Sequence, residues 1–176
     1  KSFRTFLLHA FIIIAGIYNT VLYSQDKINL VKGLPDKKIE KINLGKYINS
    51  EYSEYVPVIA PDGKTLFMFV LDHPDNLGEG DIWYSVIDNK GNWQERKNIE
   101  YPLNNDASNF VISISPDNNT LFLSRKYKLK GKDIVDNGKG FSISKRTKDG
   151  WSAPADVIVK DFKNKNKYGE FCMSGD

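Results

Sequence analysis

Residues 61–67 read PDGKTLF, and residues 116–122 read PDNNTLF. Proline presets φ for a turn, aspartate can accept a hydrogen bond from its own turn, and glycine tolerates positive φ. The apolar residues that follow each turn are typical of a β-strand. Each stretch therefore predicts a tight turn that leads into a strand. The predicted turn residues are Pro61, Asp62, Gly63, Pro116 and Asp117.

The similarity extends well beyond these two turns at the same offset, which carries position 61 to position 116. The identical pairs are Asn43 and Asn98, Asn49 and Asn104, Ser53 and Ser108, Val56 and Val111, and Ile59 and Ile114. Further on, positions 91–93 match positions 149–151, an offset larger by three, so the second copy contains a short insertion. A third copy is expected to begin at Tyr168. A repeat of this length predicts supersecondary units that stack on one another.

Each copy is predicted to hold four strands. In the first copy they cover 56–60, 65–71, 82–87 and a segment from Trp93, and in the second 110–115, 120–126, 140–146 and 151–159. Beyond the N-terminus no segment has a sustained period of 3.6, so little helix is expected. Four strands in a period of about 55–59 residues predict an all-β fold of antiparallel β-propeller blades, of which about four to eight close a ring.

The organisation along the chain follows from this repeat. Residues 39–176 are interpreted as a partial propeller, with blades at 53–105 and 108–163 and the start of the next blade at 168–176. Residues 39–50 align with the end of a blade, yet no first three strands precede them. They are therefore expected to be the closing strand of the last blade, which would remove the exposed edges of the ring. The chain itself is expected to be a fragment of about two blades.

The N-terminus is interpreted as an export signal. Lys1 and Arg4 precede a largely apolar segment, 6–22, and the small residue Ser24 follows it, which predicts a cleaved signal peptide over 1–24 and a linker over 25–38. An uncleaved membrane anchor is the alternative. Of the 25 basic residues, 23 lie beyond this segment, where there are 22 acidic residues. This balance of charge does not indicate binding to nucleic acid or to an anionic membrane. Cys172 is the only cysteine, which excludes an internal disulfide.

Few residues suggest chemistry. The carboxylates Asp72, Asp75, Glu79 and Asp81 are candidates for a Ca²⁺ site, because hard cations take oxygen ligands from loops, but their spacing does not match an EF-hand. No metal and no cofactor is therefore expected. A histidine-based triad would have to use His73, which is interpreted as a solvated loop residue, and no Gly-x-Ser-x-Gly elbow is present. No catalytic residue is predicted.

Basic and aromatic residues are interpreted as structural. The segments 125–132 and 160–167 are expected to be solvated charged loops and not a nucleic-acid surface. Trp93 and Trp151 occupy equivalent positions in the two copies, which favours packing between blades over carbohydrate stacking. Trp83 aligns with Phe141 and is also expected to be structural.

The repeat resembles a known family. APDGKTLF at 60–67, GDIWYS at 80–85 and GNW at 91–93 together resemble the TolB-like (WD40-like) β-propeller repeat, over roughly residues 39–176. The second copy departs from the pattern, with KGF at 139–141 where the first has Asp81-Ile82-Trp83.

The resemblance implies export to the periplasm or outer membrane and contact with other proteins. The expected function is a non-enzymatic binding or scaffold module of the cell envelope, whose partners are proteins. One alternative is the propeller part of a glycan-active or peptidase-type hydrolase. Another is a structural surface protein without a discrete ligand.

Overall fold

The computed structural model describes residues 41–160, and their strands belong to one compact unit that begins at Asn43. The prediction of an all-β fold with antiparallel sheets is confirmed for these residues, which contain no helix. Accordingly, no helix long and apolar enough to cross a membrane occurs between residues 41 and 160. Residues 1–40 and 161–176 lie outside the described part. The predicted signal peptide, the linker and the third copy fall there, together with the first two residues of the closing strand.

The first sheet has four antiparallel strands in chain order. They are β1 (Ser53–Ile59), β2 (Thr65–Leu71), β3 (Gly80–Val86) and β4 (Lys97–Asn98). The apolar run of β2 forms the centre of the sheet, as its continuous hydrophobicity predicts for a strand that is covered on both faces. A bulge interrupts the pairing of β1 with β2 between Tyr55 and Val58, where Val56 has a φ of 48°.

The second sheet repeats this order with more interruptions. Its strands are β5 (Val111–Ile114), β6 (Thr120–Ser124), β9 (Phe141–Thr147), β10 (Gly150–Trp151) and β11 (Ala155–Val157). β6 lies between β5 and β9, and both β10 and β11 pair with β9. A separate two-stranded hairpin, β7 (Tyr127–Lys130) and β8 (Asp133–Asp136), stands between β6 and β9.

The fourth strand of each sheet is broken, where the sequence predicted a continuous one. In the first sheet only a bridge from Ile87 to Trp93 precedes β4. In the second, Pro154 lies between β10 and β11 and cannot donate a ladder hydrogen bond. A serine of the third strand bonds to the broken stretch in both sheets: Ser85 Oγ donates to the Gln94 carbonyl and Ser144 Oγ to the Ser152 carbonyl.

Register corrects one predicted equivalence. Met68 pairs with Trp83 in the first sheet, and Leu123, the repeat counterpart of Met68, pairs with Ser142 in the second. The counterpart of Trp83 is therefore Ser142, and Phe141 corresponds to Ile82. The alignment of Trp83 with Phe141 was wrong by one residue, because the connections before the two strands differ in length.

The core lies between the two sheets. Its buried members come from both sheets and from the connection between them: Ala60, Phe67, Ile82, Leu103, Val111, Ile114, Leu121 and Leu123. A second apolar cluster covers the other face of the first sheet, formed by Ile48, Leu66, Met68, Val70 and Trp83. Alternate residues of β2 thus point into different clusters, as the period of two in a strand requires.

Candidate functional site

The two predicted turns have the same geometry. The Lys64 amide donates to Asp62 Oδ1 at 2.8 Å, and the Asn119 amide donates to Asp117 Oδ1 at 3.0 Å. The following position has positive φ in both turns, 69° at Gly63 and 59° at Asn118. A hydrogen bond from the Ser115 hydroxyl lowers the pKa of the exposed Asp117 carboxyl. Both aspartates thus bond to the turns that contain them.

The four candidate carboxylates do not converge on a common point. Asp81 is fully buried and accepts hydrogen bonds from the Leu77 amide at 2.8 Å and from Asn98 Nδ2 at 2.9 Å. Glu79 accepts from the Ser108 hydroxyl, and Asp75 is 75% exposed. Within residues 41–160 no three histidine, cysteine or acidic side chains are grouped to hold a metal ion. Asp81 instead organises the loop between β2 and β3.

His73 is not a solvated residue, contrary to the expectation from sequence. Its side chain is 14% exposed, and its ring lies 4.5 Å from the Tyr52 ring and 4.2 Å from the Trp83 ring, centroid to centroid. The Asp75 carboxylate is 3.8 Å from Nδ1, and the Asp75 amide donates to the same nitrogen at 3.1 Å. A turn-rich stretch of sequence gives no signal for this packing, because both aromatic partners come from other elements.

The two equivalent tryptophans pack against opposite faces of the first sheet. Trp151 lies against the core between the sheets, and its ring contacts the Phe67 ring of the first sheet edge-on, with centroids 6.4 Å apart. Trp93 packs against the second cluster, on the opposite face of the first sheet. Only Trp151 therefore lies between two described sheets.

A polar loop occurs twice with the same hydrogen bonds. We call residues 43–54 the first loop and residues 98–109 the second loop. In the first loop Asn43 Oδ1 accepts from the Gly45 amide and from Asn49 Nδ2, at 2.7 and 2.8 Å. In the second, at the offset of the repeat, Asn98 Oδ1 accepts from the Glu100 amide and from Asn104 Nδ2, both at 2.7 Å.

The correspondence continues to the end of each loop. The Ser50 amide donates to the Glu54 carboxylate at 3.1 Å, and the Asn105 amide donates to Asn109 Oδ1 at 2.8 Å. Two short turns also match: the Asn49 amide bonds to the Gly45 carbonyl, and the Asn104 amide bonds to the Glu100 carbonyl. The backbone therefore follows the same path in both loops, although their sequences differ at most positions.

The side chain that closes the first loop differs in chemical type from the one that closes the second loop. Arg96 Nη1 donates to the Ile48 carbonyl at 3.0 Å and to the Glu54 carboxylate at 2.9 Å. At the matching place Tyr127 Oη accepts from Asn109 Nδ2 at 2.9 Å and lies 3.5 Å from the Leu103 carbonyl.

Both of these closing side chains are largely withdrawn from solvent. The Arg96 side chain is 9% exposed, and burial raises the pKa of Tyr127 above its usual range. One loop is therefore closed by an ion pair and the other by neutral hydrogen bonds. Nothing in the repeat pattern indicates this exchange, because Arg96 and Tyr127 occupy unrelated sequence positions.

The segment 125–132 is exposed from position 128 onward, as expected from sequence, but it forms paired strands and not an irregular loop. The hairpin β7–β8 contains most of it, and Tyr127, the first residue of β7, is buried. Arg125 Nε and Nη2 donate to the two oxygens of Asp136 at 2.7 and 2.6 Å. This ion pair lowers the pKa of the Asp136 carboxyl. The segment 160–167 lies outside the described residues except for Lys160.

An open cleft of about 590 Å³ lies between the two sheets. Phe67 and Leu103 are among its lining residues, and Tyr84, Tyr101 and Trp151 are its other aromatic ones. The Arg146 guanidinium lies 4.3 Å from the Trp151 ring centroid. The Arg146 contact therefore covers part of the Trp151 ring.

Taken together, the described residues define an all-β protein of stacked antiparallel sheets, in which the buried Asp81 and Asn104 bond to the backbone of neighbouring elements. Searches against protein-family models, curated proteins and solved structures found no match to the chain.

Proposed function

We propose that the chain is an arc of a β-propeller that serves as a non-enzymatic binding or scaffold module, exported to the cell envelope. The observation that carries this proposal is the use of the buried polar side chains. Asp81, Asn104, Asn109 and Tyr127 bond to backbone or to one another and organise loops. Side chains engaged in this way build a scaffold and offer no nucleophile with an adjacent base.

The way the sheets stack supports the propeller. On the second sheet, the face that packs against the first carries Leu121 and Leu123. Their counterparts on the first sheet, Leu66 and Met68, lie on its opposite face. If each further sheet packed the same face against the sheet before it, the sheets would stack in one direction, head to tail. Blades around a propeller axis have this arrangement.

The first loop supports the predicted closing strand. In the second loop the buried Asn104 side chain accepts from the Ile82 amide at 2.9 Å and donates to the Ile82 carbonyl at 3.0 Å, which fastens the loop to the third strand of its own blade. Asn49 occupies the same place in the first loop and is exposed. We propose that residues 43–50 complete a blade whose third strand would bond to Asn49 in the same way.

The binding role is tested by affinity capture. The tagged protein is used as bait in envelope extract, and a variant with Asn104→Lys, shown by circular dichroism to be unfolded, serves as the control bait. We expect the folded bait alone to retain one partner in near-equimolar amount. Hydrolysis of glycan or peptide substrates by the purified protein, or retention of the same proteins by both baits, would count against the proposal.

A further inference from the structure

The hairpin β7–β8 is the main feature of the second sheet that has no counterpart in the first. Between β2 and β3 the first sheet has a short loop that Asp81 organises. At the same place the second sheet projects two paired strands joined at Gly131 and Lys132. We call residues 127–136 the cationic hairpin.

The cationic hairpin is held at its base and near its tip. At the base, Asp136 forms the two-bond ion pair with Arg125, and the Tyr127 amide donates to Asp156 Oδ1 at 2.8 Å. Near the tip, Tyr101 Oη donates to the Lys132 carbonyl at 3.3 Å. The hairpin therefore has a fixed orientation relative to the second sheet, so its side chains need little further ordering to bind a partner.

The exposed charge of the hairpin is mostly positive, with three lysines against one aspartate. Lys128, Lys130 and Lys132 are all exposed, and among residues 41–160 no carboxylate lies within ion-pair distance of any of them. Asp133 is the exposed acid of the hairpin and pairs with Lys130 in the strand register, so it lies on the same face as Lys130. Asp136 is bonded to Arg125. Lys128 and Lys130 are two residues apart on one strand, so they share a face at a spacing of about 7 Å.

The arrangement of apolar residues indicates what kind of partner fits. Leu129 is 73% exposed, but it lies between the two lysines in sequence and therefore points to the opposite face of its strand. A flat membrane surface would have to receive the leucine and the lysines on one side. An extended acidic chain needs only the lysine face, because its alternate side chains repeat at about the same 7 Å.

We propose that the cationic hairpin binds an extended acidic segment of a partner protein, with Lys128 and Lys130 facing alternate carboxylates and Lys132 extending the charged surface. This assignment rests on the proposed binding function and gives the chemistry of the partner. Exposed ion pairs each contribute modestly and are screened by salt, so the affinity should fall as ionic strength rises.

The test measures fluorescence anisotropy of a labelled peptide of alternating glutamate and threonine, with the whole protein in low salt. The variant is Lys128→Gln, Lys130→Gln and Lys132→Gln together. The matched control is Lys64→Gln, Lys90→Gln and Lys148→Gln, which removes the same charge from exposed lysines in three other turns. We expect the hairpin variant to bind at least about tenfold more weakly and the control to stay within about twofold of the parent.

Four results would overturn the proposal. They are no binding of the peptide by the parent protein, equal weakening in both variants, an affinity that salt does not change, and retention of anionic phosphatidylglycerol vesicles through the hairpin lysines without any effect on the peptide. The unfolding midpoints of both variants should match that of the parent protein, which excludes loss of fold as the cause. If a partner captured from envelope extract remains bound to the hairpin variant, the hairpin assignment fails while the binding function stands.

Discussion

The first and second loops follow the same backbone path, but they differ in whether a neighbouring strand is bonded to them. Asn98 and Asn104 hold the second loop against the Ile82 backbone, where Asn104 is fully buried. Asn43 and Asn49 make the same local bonds on an exposed surface. The loop conformation is therefore encoded locally by the two asparagines, and burial depends on whether a third strand lies beside it.

The largest difference is expected when the two equivalent asparagines are truncated. Asn104→Ala removes the acceptor for the buried Ile82 amide, so unfolding free energy should fall by about 2–3 kcal/mol. Asn49→Ala exposes its former partners to water and should cost less than about 1 kcal/mol. Denaturant unfolding of both variants measures this, and equal losses would contradict the comparison.

The next largest effect concerns the group that closes the first loop. Arg96→Met keeps much of the apolar stem and removes the cation, which leaves the partly buried Glu54 carboxylate without its ion pair. We expect a loss of about 2 kcal/mol in unfolding free energy. Glu54→Gln combined with Arg96→Met should recover part of that loss in a double-mutant cycle. If the two changes are simply additive, the ion pair does not close the loop.

The neutral counterpart in the second loop should be less costly to alter. Tyr127→Phe keeps the ring and removes the hydroxyl that accepts from Asn109, so the expected loss is about 1 kcal/mol. High salt should reduce the effect of Arg96→Met modestly, because the ion pair is largely buried, and should leave that of Tyr127→Phe unchanged. Unfolding at two ionic strengths checks this, and equal salt dependence of both variants would argue against distinct chemistries.

The two turns allow a finer comparison. Gly63 has a φ of 69° and open space around its Cα, and Asn118 adopts nearly the same φ at the matching position. Gly63→Ala should cost about 1 kcal/mol through backbone strain alone. Gly63→Asn should cost less, because asparagine tolerates the left-handed region. Thermal unfolding that ranks alanine at or above asparagine would reject this reading of the turn.

Acid should weaken the ion pair at the base of the cationic hairpin. The pKa of Asp136 is lowered, chiefly by hydrogen bonds from Arg125, so its carboxylate stabilises the fold above the unfolded pKa of about 3.9. That contribution should be lost as pH falls through the lower folded pKa. The stability gap between the parent and Asp136→Asn should therefore close in acid. A gap that is constant with pH would show that the ion pair is not its source.

The sequence predicted the features that depend on local pattern. The turns at Asp62 and Asp117 and the central strand β2 follow from residue types that have one favoured conformation in that order. The constant offset between the two copies also anticipated the equivalence of Asn49 and Asn104. None of these features needs information about distant contacts.

What the sequence did not predict depends on partners far along the chain. The Tyr127 hydroxyl is buried where it accepts from Asn109 Nδ2 and lies near the Leu103 carbonyl, and the lysine-rich stretch forms a hairpin and not a loop. His73 is enclosed by Tyr52 and Trp83. The register error at Phe141 arose because connections of different length precede equivalent strands. In each case a tertiary contact outweighs the local pattern.

We propose that the two sheets are successive blades and that the first loop completes a blade of the same ring. The decisive experiment measures the loss of unfolding free energy on Asn49→Ala in a protein that carries the complete ring. A third strand beside Asn49 should raise that cost to about 2–3 kcal/mol, close to that of Asn104→Ala. A cost that stays below about 1 kcal/mol would contradict the closing strand and, with it, the ring.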